Sequence, residues 1–192
     1  MARPLEHKRE EVIAAAMQVF WNKGYSATSM ADLKIATGLN PGSLYASYRS
    51  KEDLFISTLE SYCDQSIENI EAALLSDANY IDNIYTFFKK FLQNNDQSGK
   101  GCFFVNTLIE MSPHNPRVKT LLEKYTDKYK HVFLTALTHA QEQGQISASS
   151  DVITKSSQLM LTIWGLRVMQ RSGICVDTAN IVEQQLNSIL SA

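Results

Sequence analysis

The chain of 192 residues is long enough for one domain or two small ones, and its 44% hydrophobic and 20% charged residues exclude a disordered chain. No apolar run reaches the ~20 residues of a membrane span, and the polar N-terminus has no signal-peptide pattern, so we expect a cytoplasmic protein. The net charge of −2 is uneven, because residues 1–52 carry seven Lys and Arg against five Asp and Glu, whereas the remainder carries 11 against 15.

Almost every segment of the chain has the periodicity of a helix, and no alternating run indicates a strand. We therefore predict an all-α fold. The predicted helices span residues 5–23, 29–37, 41–48, 50–75, 80–94, 103–111, 114–143, 150–172 and 177–190. The most loop-like stretch lies at residues 94–101, NNDQSGKG.

The first three predicted helices are separated by unusually clear signals. Gly24 and Gly38 are suited to the left-handed conformation that ends a helix. Asn40 is a good N-cap, and Pro41 fits the first position of a helix of only about two turns. A short helix, a tight turn and a second short helix over residues 29–48 predict a helix-turn-helix.

A helix-turn-helix reads DNA with the first turn of its second helix in the major groove, while the first helix is braced against a phosphate. Here Gly42 and Ser43 would allow close approach to the bases, and Tyr45 can reach a phosphate or a thymine methyl. Lys51 can neutralise a phosphate. The full set of predicted DNA contacts is Thr28, Ser29, Lys34, Asn40, Pro41, Gly42, Ser43, Tyr45, Tyr48 and Lys51.

A long pattern of fixed spacing runs through this region. It comprises Ala15-Ala16-x-x-Val19-Phe20, Lys23-Gly24-Tyr25, Thr28-Ser29-Met30-x-Asp32-Leu33, Thr37-Gly38-Leu39, Gly42-Ser43-Leu44-Tyr45 and Ser50-Lys51-Glu52-x-Leu54. With it, residues 5–60 resemble the DNA-binding domain of the TetR family of bacterial regulators. The resemblance implies an N-terminal three-helix helix-turn-helix domain over residues 5–60. It also implies a C-terminal helical domain over 61–192 that binds a small effector and forms a homodimer.

Three positions depart from the common pattern of that family. Lys34 stands where alanine is frequent, and Ala46 and Ser47 stand where aromatic residues and histidine are frequent. A smaller second turn in the recognition helix changes which bases can be touched, so the operator sequence of a relative does not carry over.

The C-terminal part is rich in apolar and aromatic residues, which predicts a mainly apolar effector pocket. The candidate pocket residues are Tyr85, Phe88, Cys102, Phe104, Leu108, Met111, Tyr125, Met160, Trp164 and Arg167. Apolar faces on the last two helices suit a four-helix interface between two protomers, and the alternative is that these faces pack within the monomer. These faces carry Ile153, Ser157, Met160, Leu161, Trp164, Gly165, Val168, Ile181, Val182, Leu186 and Ile189.

We expect a sequence-specific DNA-binding regulator, a repressor that a small, largely apolar effector releases from a near-palindromic double-stranded operator. The alternative is a redox or electrophile sensor acting through Cys102, whose thiol Lys100 could activate. The competing interpretation of Cys102 is a small buried residue at a helix start. No enzyme motif, metal-ligand pattern or cofactor motif occurs, so we predict a protein without catalytic residues, metal or cofactor.

Overall fold

The computed structural model describes residues 3–93, 100–172 and 178–191, with the side chains of the first helix from Arg9 onward. Within these ranges the chain forms nine α-helices and no strand, which confirms the predicted all-α fold. The helices are α1 (Arg3–Lys23), α2 (Met30–Thr37), α3 (Pro41–Tyr48), α4 (Lys51–Leu74), α5 (Tyr80–Gln93), α6 (Phe103–Met111), α7 (Pro116–Glu142), α8 (Val152–Ser172) and α9 (Thr178–Leu190).

The helix ends lie within about two residues of the predicted bounds, because local capping signals set most of them. Gly24 and Gly38 have φ angles of +81° and +68°, the left-handed conformation that ends α1 and α2. Ser29, Asn40 and Ser50 each accept a hydrogen bond from the backbone N–H of the third residue of the helix that follows. Most of the predicted loop at 94–101 and the residue Cys175 lie outside the described residues.

A small core joins α1, α2 and α3 to the first half of α4. Phe20 from α1, Leu33 from α2, Leu44 from α3 and Leu54 from α4 are each at most 2% exposed. These four side chains fix the angle between α2 and α3, the two helices of the motif.

The remaining helices pack around α7 and α4. α7 contacts α4, α5, α6 and α8, and α9 packs on α5 and α8. α4 has 24 residues and is therefore about 36 Å long. It packs on α1, α3, α5, α6 and α7, so one long helix contacts both the N-terminal and the C-terminal helices.

No helix among the described residues is both long enough and apolar enough to cross a lipid bilayer.

Candidate functional site

The start of α3 is held in one geometry by its own sequence. The Asn40 side chain accepts a hydrogen bond from the Ser43 backbone N–H at 2.9 Å, and Pro41 occupies the first helical turn. α3 ends after Tyr48, where Arg49 adopts a φ of +57° that is uncommon for a residue with a side chain. A helix of eight residues is thus defined at both ends by local contacts.

α3 has one buried and one exposed face. Leu44 and Tyr48, four residues apart, are buried against α4 and the core. Gly42, Ser43 and Tyr45 are exposed on the outer face, and 46% of Tyr45 is open to solvent. An exposed aromatic beside two small residues is a surface that can enter a groove.

The structure corrects two of the predicted DNA contacts. Thr28 is 2% exposed, and its hydroxyl donates a hydrogen bond to the Gly24 carbonyl at 2.6 Å, so this side chain stabilises the turn before α2. Tyr48 is 7% exposed because it lies on the core face of α3. The spacing of four from Leu44 could have indicated this burial, since residues i and i+4 share a face.

The start of α2 carries a dense set of polar contacts. Ser29 Oγ lies 2.8 Å from Asp32 Oδ2, and the Lys23 ammonium lies 2.6 Å from Asp32 Oδ1. The hydrogen bond from Lys23, together with those from Ser29, holds the pKa of the Asp32 carboxyl well below its ordinary value. Ser29 is exposed, but its hydroxyl already has a partner within its own helix end.

Two of the predicted DNA contacts are lysines on the helices before and after α3. Lys34 is exposed on α2. Lys51, the first residue of α4, lies over the Tyr25 ring with its ammonium 4.4 Å from the ring centroid, and desolvation by burial lowers its pKa. We group these lysines with Ser29, Asn40, Gly42, Ser43 and Tyr45, which are all exposed, and call the set of these predicted DNA contacts the α3 face.

A cavity of about 500 Å³ lies between α1, α4, α5, α6, α7 and α8. Five of the ten predicted pocket residues line it, namely Cys102, Phe104, Met160, Trp164 and Arg167. The Trp164 and Phe104 rings form part of its aromatic wall, with their centroids 5.7 Å apart.

The other five predicted pocket residues lie elsewhere. The Tyr85 hydroxyl donates to Asn187 at 2.7 Å, across the groove between α5 and α9, which Phe88 also lines. The Tyr125 hydroxyl donates to Asp64 at 2.8 Å. Leu108 packs against the core and Met111 is 5% exposed, so both serve packing around α6.

Several cavity residues are not among those predicted. They are the polar side chains Ser61, Gln65, Ser66 and Asn69 of α4, together with Met17, Tyr62, Ile70, Phe87, Phe91, Tyr129 and Ile163. Positions 61, 65 and 69 share one face of α4 at a spacing of four. That spacing was visible in the sequence, but a polar stripe on a helix is usually a solvated face.

The thiol of Cys102 lies next to a hydroxyl group. Cys102 is half-buried, and its sulfur lies 3.4 Å from the Tyr62 hydroxyl. The Lys100 ammonium donates to Gln18 Oε1 at 3.1 Å. The structure places Cys102 in the cavity wall, and activation of its thiol by Lys100 stays a prediction.

α6 connects the cavity to the N-terminal helices. Its first residues stand beside the cavity, and near its other end Glu110 accepts hydrogen bonds from the backbone N–H groups of Tyr25 and Ser26 at 3.1 and 2.9 Å. Just before α6, the Gly101 carbonyl accepts a hydrogen bond from the Trp21 indole at 3.1 Å. α6 and the residue before its N-cap therefore contact both the end of α1 and the turn between α1 and α2.

A second connection joins α7 to the start of α4. The Arg117 guanidinium pairs with Glu52 at 2.7 Å and Asp53 at 2.8 Å, and the Asn115 amide donates to Glu52 at 2.9 Å. The hydrogen bond from Arg117 is the main cause of the lowered pKa of the Asp53 carboxyl. Lys51 directly precedes Glu52 and Asp53. The contacts of these two residues with α7 therefore also fix the position of the Lys51 backbone.

Comparison with known proteins gives a consistent result. Residues 12–58 match the model of bacterial regulatory proteins of the tetR family, and residues 79–174 match a tetracyclin repressor-like C-terminal domain. The HTH-type transcriptional repressor ComR of Escherichia coli is 28% identical over 178 residues, which cover 91% of this chain and 85% of ComR.

Solved structures share the fold over nearly the whole chain. A cysteine mutant of the TetR family transcriptional regulator CifR, complexed with 26-bp double-strand operator DNA, superposes with a TM-score of 0.83 at 22% identity, covering 93% of this chain and 95% of that one. A TetR family regulator from Cytophaga hutchinsonii gives a TM-score of 0.84 at 19% identity, covering 95% and 93%.

Proposed function

The chain belongs to the TetR family of bacterial regulatory proteins, and on that premise we propose that it is a repressor that a small ligand releases from its operator. As a member of that family it is a DNA-binding transcriptional regulator and not an enzyme. The observation that carries the proposal is the α3 face, where a locally capped helix exposes Gly42, Ser43 and Tyr45 beside Lys51. A repressive role is supported by ComR, a named repressor that shares most of the chain's length.

We place the domain boundary near residue 60 and assign the α3 face to the DNA contacts. Tyr45 and Ser43 would meet base edges or the backbone, and Lys34 and Lys51 would neutralise phosphates. Ser29 and Asn40 would hold the ends of α2 and α3 close to the duplex. A recognition helix of eight residues touches few bases, so two copies are needed for a specific site.

The second copy would come from a homodimer through α8 and α9. Ile153, Leu161 and Val168 are 59%, 61% and 41% exposed and recur at helical spacing on one side of α8. Ile181 on α9 is 52% exposed, whereas Val182, on its other face, is buried within the protomer. An exposed apolar stripe of this extent supports an interface between two protomers.

Release from the operator would follow from a change in α6. A ligand in the cavity presses on the residues at the start of α6, and Glu110 near its other end holds the turn between α1 and α2. A ligand that binds one arrangement of α6 better than the other shifts the population toward it. If that arrangement sets the two recognition helices at an unsuitable spacing, DNA is released.

A thiol-dependent sensor is the second candidate, because Cys102 lies in the cavity wall. The two functions differ in one experiment. Under the first, Cys102→Ser leaves ligand-driven release intact, whereas under the second it abolishes release by an electrophile.

Tyr45→Ala is expected to weaken binding to duplexes selected by the wild-type protein from a random library by about tenfold to a hundredfold. Its fold should persist, because a solvent-exposed substitution usually changes the free energy of unfolding by about 0.5 kcal/mol or less. Fluorescence anisotropy over a salt series measures the affinity. Lys51→Gln should also reduce the slope of log affinity against log salt by about one per protomer.

The matched control is Leu75→Ala, which truncates an exposed apolar residue just after α4, at the opposite end of that helix from Lys51. Its DNA affinity should equal that of the wild type. If Tyr45→Ala and Lys51→Gln both bind as tightly as the control, α3 is not the recognition helix.

A further inference from the structure

Arg167 is the one side chain with a formal charge at neutral pH among the described residues that line the cavity. No Asp, Glu, Lys or His contributes to the wall that those residues form. The other polar groups of these lining residues are hydroxyls, amides, one indole N–H and one thiol. The wall that these residues form therefore carries a single positive charge on a mainly apolar surface.

The Arg167 guanidinium has N–H donors that remain available to a ligand. It stacks on the Phe91 ring, 4.0 Å from the centroid, and one N–H donates to Gln170 Oε1 at 3.2 Å. Within the described ranges, no carboxylate lies within 4.0 Å of it. A guanidinium carries five N–H donors arranged to match a carboxylate or another oxyanion.

The cavity wall around this charge is flat and aromatic. Phe104 and Trp164 form one part, and Phe87, Phe91 and Phe133 form another. The Phe87 and Phe133 rings meet edge to face with centroids 6.2 Å apart. Rings of this kind offer faces to a planar apolar molecule, and a volume of about 500 Å³ suits a ligand of drug size.

From these observations we infer that the effector is an amphipathic anion, a ring-containing apolar molecule with one oxyanion group that pairs with Arg167. The inference rests on the proposed role of the cavity as the effector site. A neutral ligand would remove water from the guanidinium without supplying a counter-charge. The desolvation of an unpaired charge is unfavourable in free energy. A cationic ligand would add repulsion at the same place.

Two fluorescent probes that differ only in the anionic group test this inference. 8-Anilinonaphthalene-1-sulfonate carries a sulfonate, and N-phenyl-1-naphthylamine is the same ring system without it. Binding of each probe to the full chain is measured by fluorescence titration at constant ionic strength, with no DNA present. The variants are Arg167→Gln, Arg167→Lys and the control Lys90→Gln, which removes one positive charge from an exposed position on α5.

The wild type and Lys90→Gln should bind the sulfonate about tenfold to a hundredfold more tightly than the neutral probe. Arg167→Gln should remove this preference by weakening only the sulfonate, and Arg167→Lys should keep part of it, because lysine retains the charge but loses the planar fork. Thermal melting of each variant checks that the fold is kept. 2-Naphthoate should compete with the sulfonate, whereas 2-naphthamide should compete at least about tenfold less well.

Equal affinity of the wild type for the two probes overturns the inference, as does a sulfonate preference that survives in Arg167→Gln. Absence of binding by both probes overturns it too. Failure of the proposed function is seen separately, in a protein that binds the anion as expected but stays on its selected DNA when the anion is added.

Discussion

Replacing Leu161 with glutamate is expected to turn the protein into a monomer at micromolar concentration and to abolish tight operator binding. Leu161 is 61% exposed on α8, and it lies one turn from Gly165, where an added Cβ would meet nothing within 4 Å. In a two-fold dimer this stripe is buried against its own copy, so each glutamate would be desolvated without a partner. The dimer dissociation constant should rise at least about a hundredfold, because such burial costs several kcal/mol.

Sedimentation velocity over a concentration series measures the change, and anisotropy with selected duplexes measures its effect on DNA. The matched control is Leu75→Glu, at an exposed leucine just after α4, which should remain dimeric. A Leu161→Glu protein that sediments as the wild type does would place the interface elsewhere. A monomer that still binds DNA with full affinity would show that one recognition helix suffices.

Replacing Phe55 with alanine is expected to lower the free energy of unfolding by about 3–5 kcal/mol. Phe55 is 1% exposed, and its ring meets those of Phe20 and Tyr25 at 5.0 Å and that of Phe103 at 5.5 Å. It therefore joins α1, the turn after α1, α4 and α6 in one cluster. Removal of the ring leaves a cavity at the place where the N-terminal helices meet α6.

Urea unfolding followed by circular dichroism measures this loss, with all proteins at one protomer concentration because a dimer's stability depends on it. Tyr45→Ala is the control, since it removes an aromatic ring of similar size from an exposed position. A loss below about 1 kcal/mol for Phe55→Ala would contradict the packing described, because truncation of a buried phenylalanine without such a cost requires the site to collapse.

Capping explains why the helix-turn-helix was predictable from the sequence alone. Asn40 and Pro41 fix the start of α3, and Gly24 and Gly38 fix the ends of α1 and α2, through contacts within a few residues. Such signals can be read from the order of residues, because the groups that satisfy each other are close in sequence. The long helices α7 and α8 followed from their apolar periodicity and their flanking breaks.

The cavity was predictable only in part, because periodicity shows that a residue is buried but not which space it faces. Tyr125, Met111 and Phe104 are all large side chains that are at most 5% exposed, yet only Phe104 lines the cavity, whereas Tyr125 donates a hydrogen bond to Asp64 and Met111 packs in the core. The polar wall of α4 has the spacing of an ordinary solvated face. The contact of Glu110 with the α1–α2 turn joins residues about 85 positions apart, so no local sequence pattern predicts it.

The DNA contacts were also predictable only in part. Thr28 has a sequence position suited to a phosphate contact, but its hydroxyl donates a hydrogen bond to the Gly24 carbonyl. Ser29 has its hydroxyl paired with Asp32. Short polar side chains near a helix start often satisfy their own backbone, so a motif alone does not distinguish such a residue from a DNA contact.

The sequence of the duplexes that the wild-type protein enriches from a random library tests the central claim most directly. Two α3 helices related by a two-fold axis should enrich inverted half-sites whose centres are about 10 base pairs, or a multiple of one helical turn, apart. In the same selection, Tyr45→Ala should show a weaker base preference at positions within each half-site than the wild type. Enrichment of a single asymmetric site, or of no site, would contradict a symmetric pair of recognition helices.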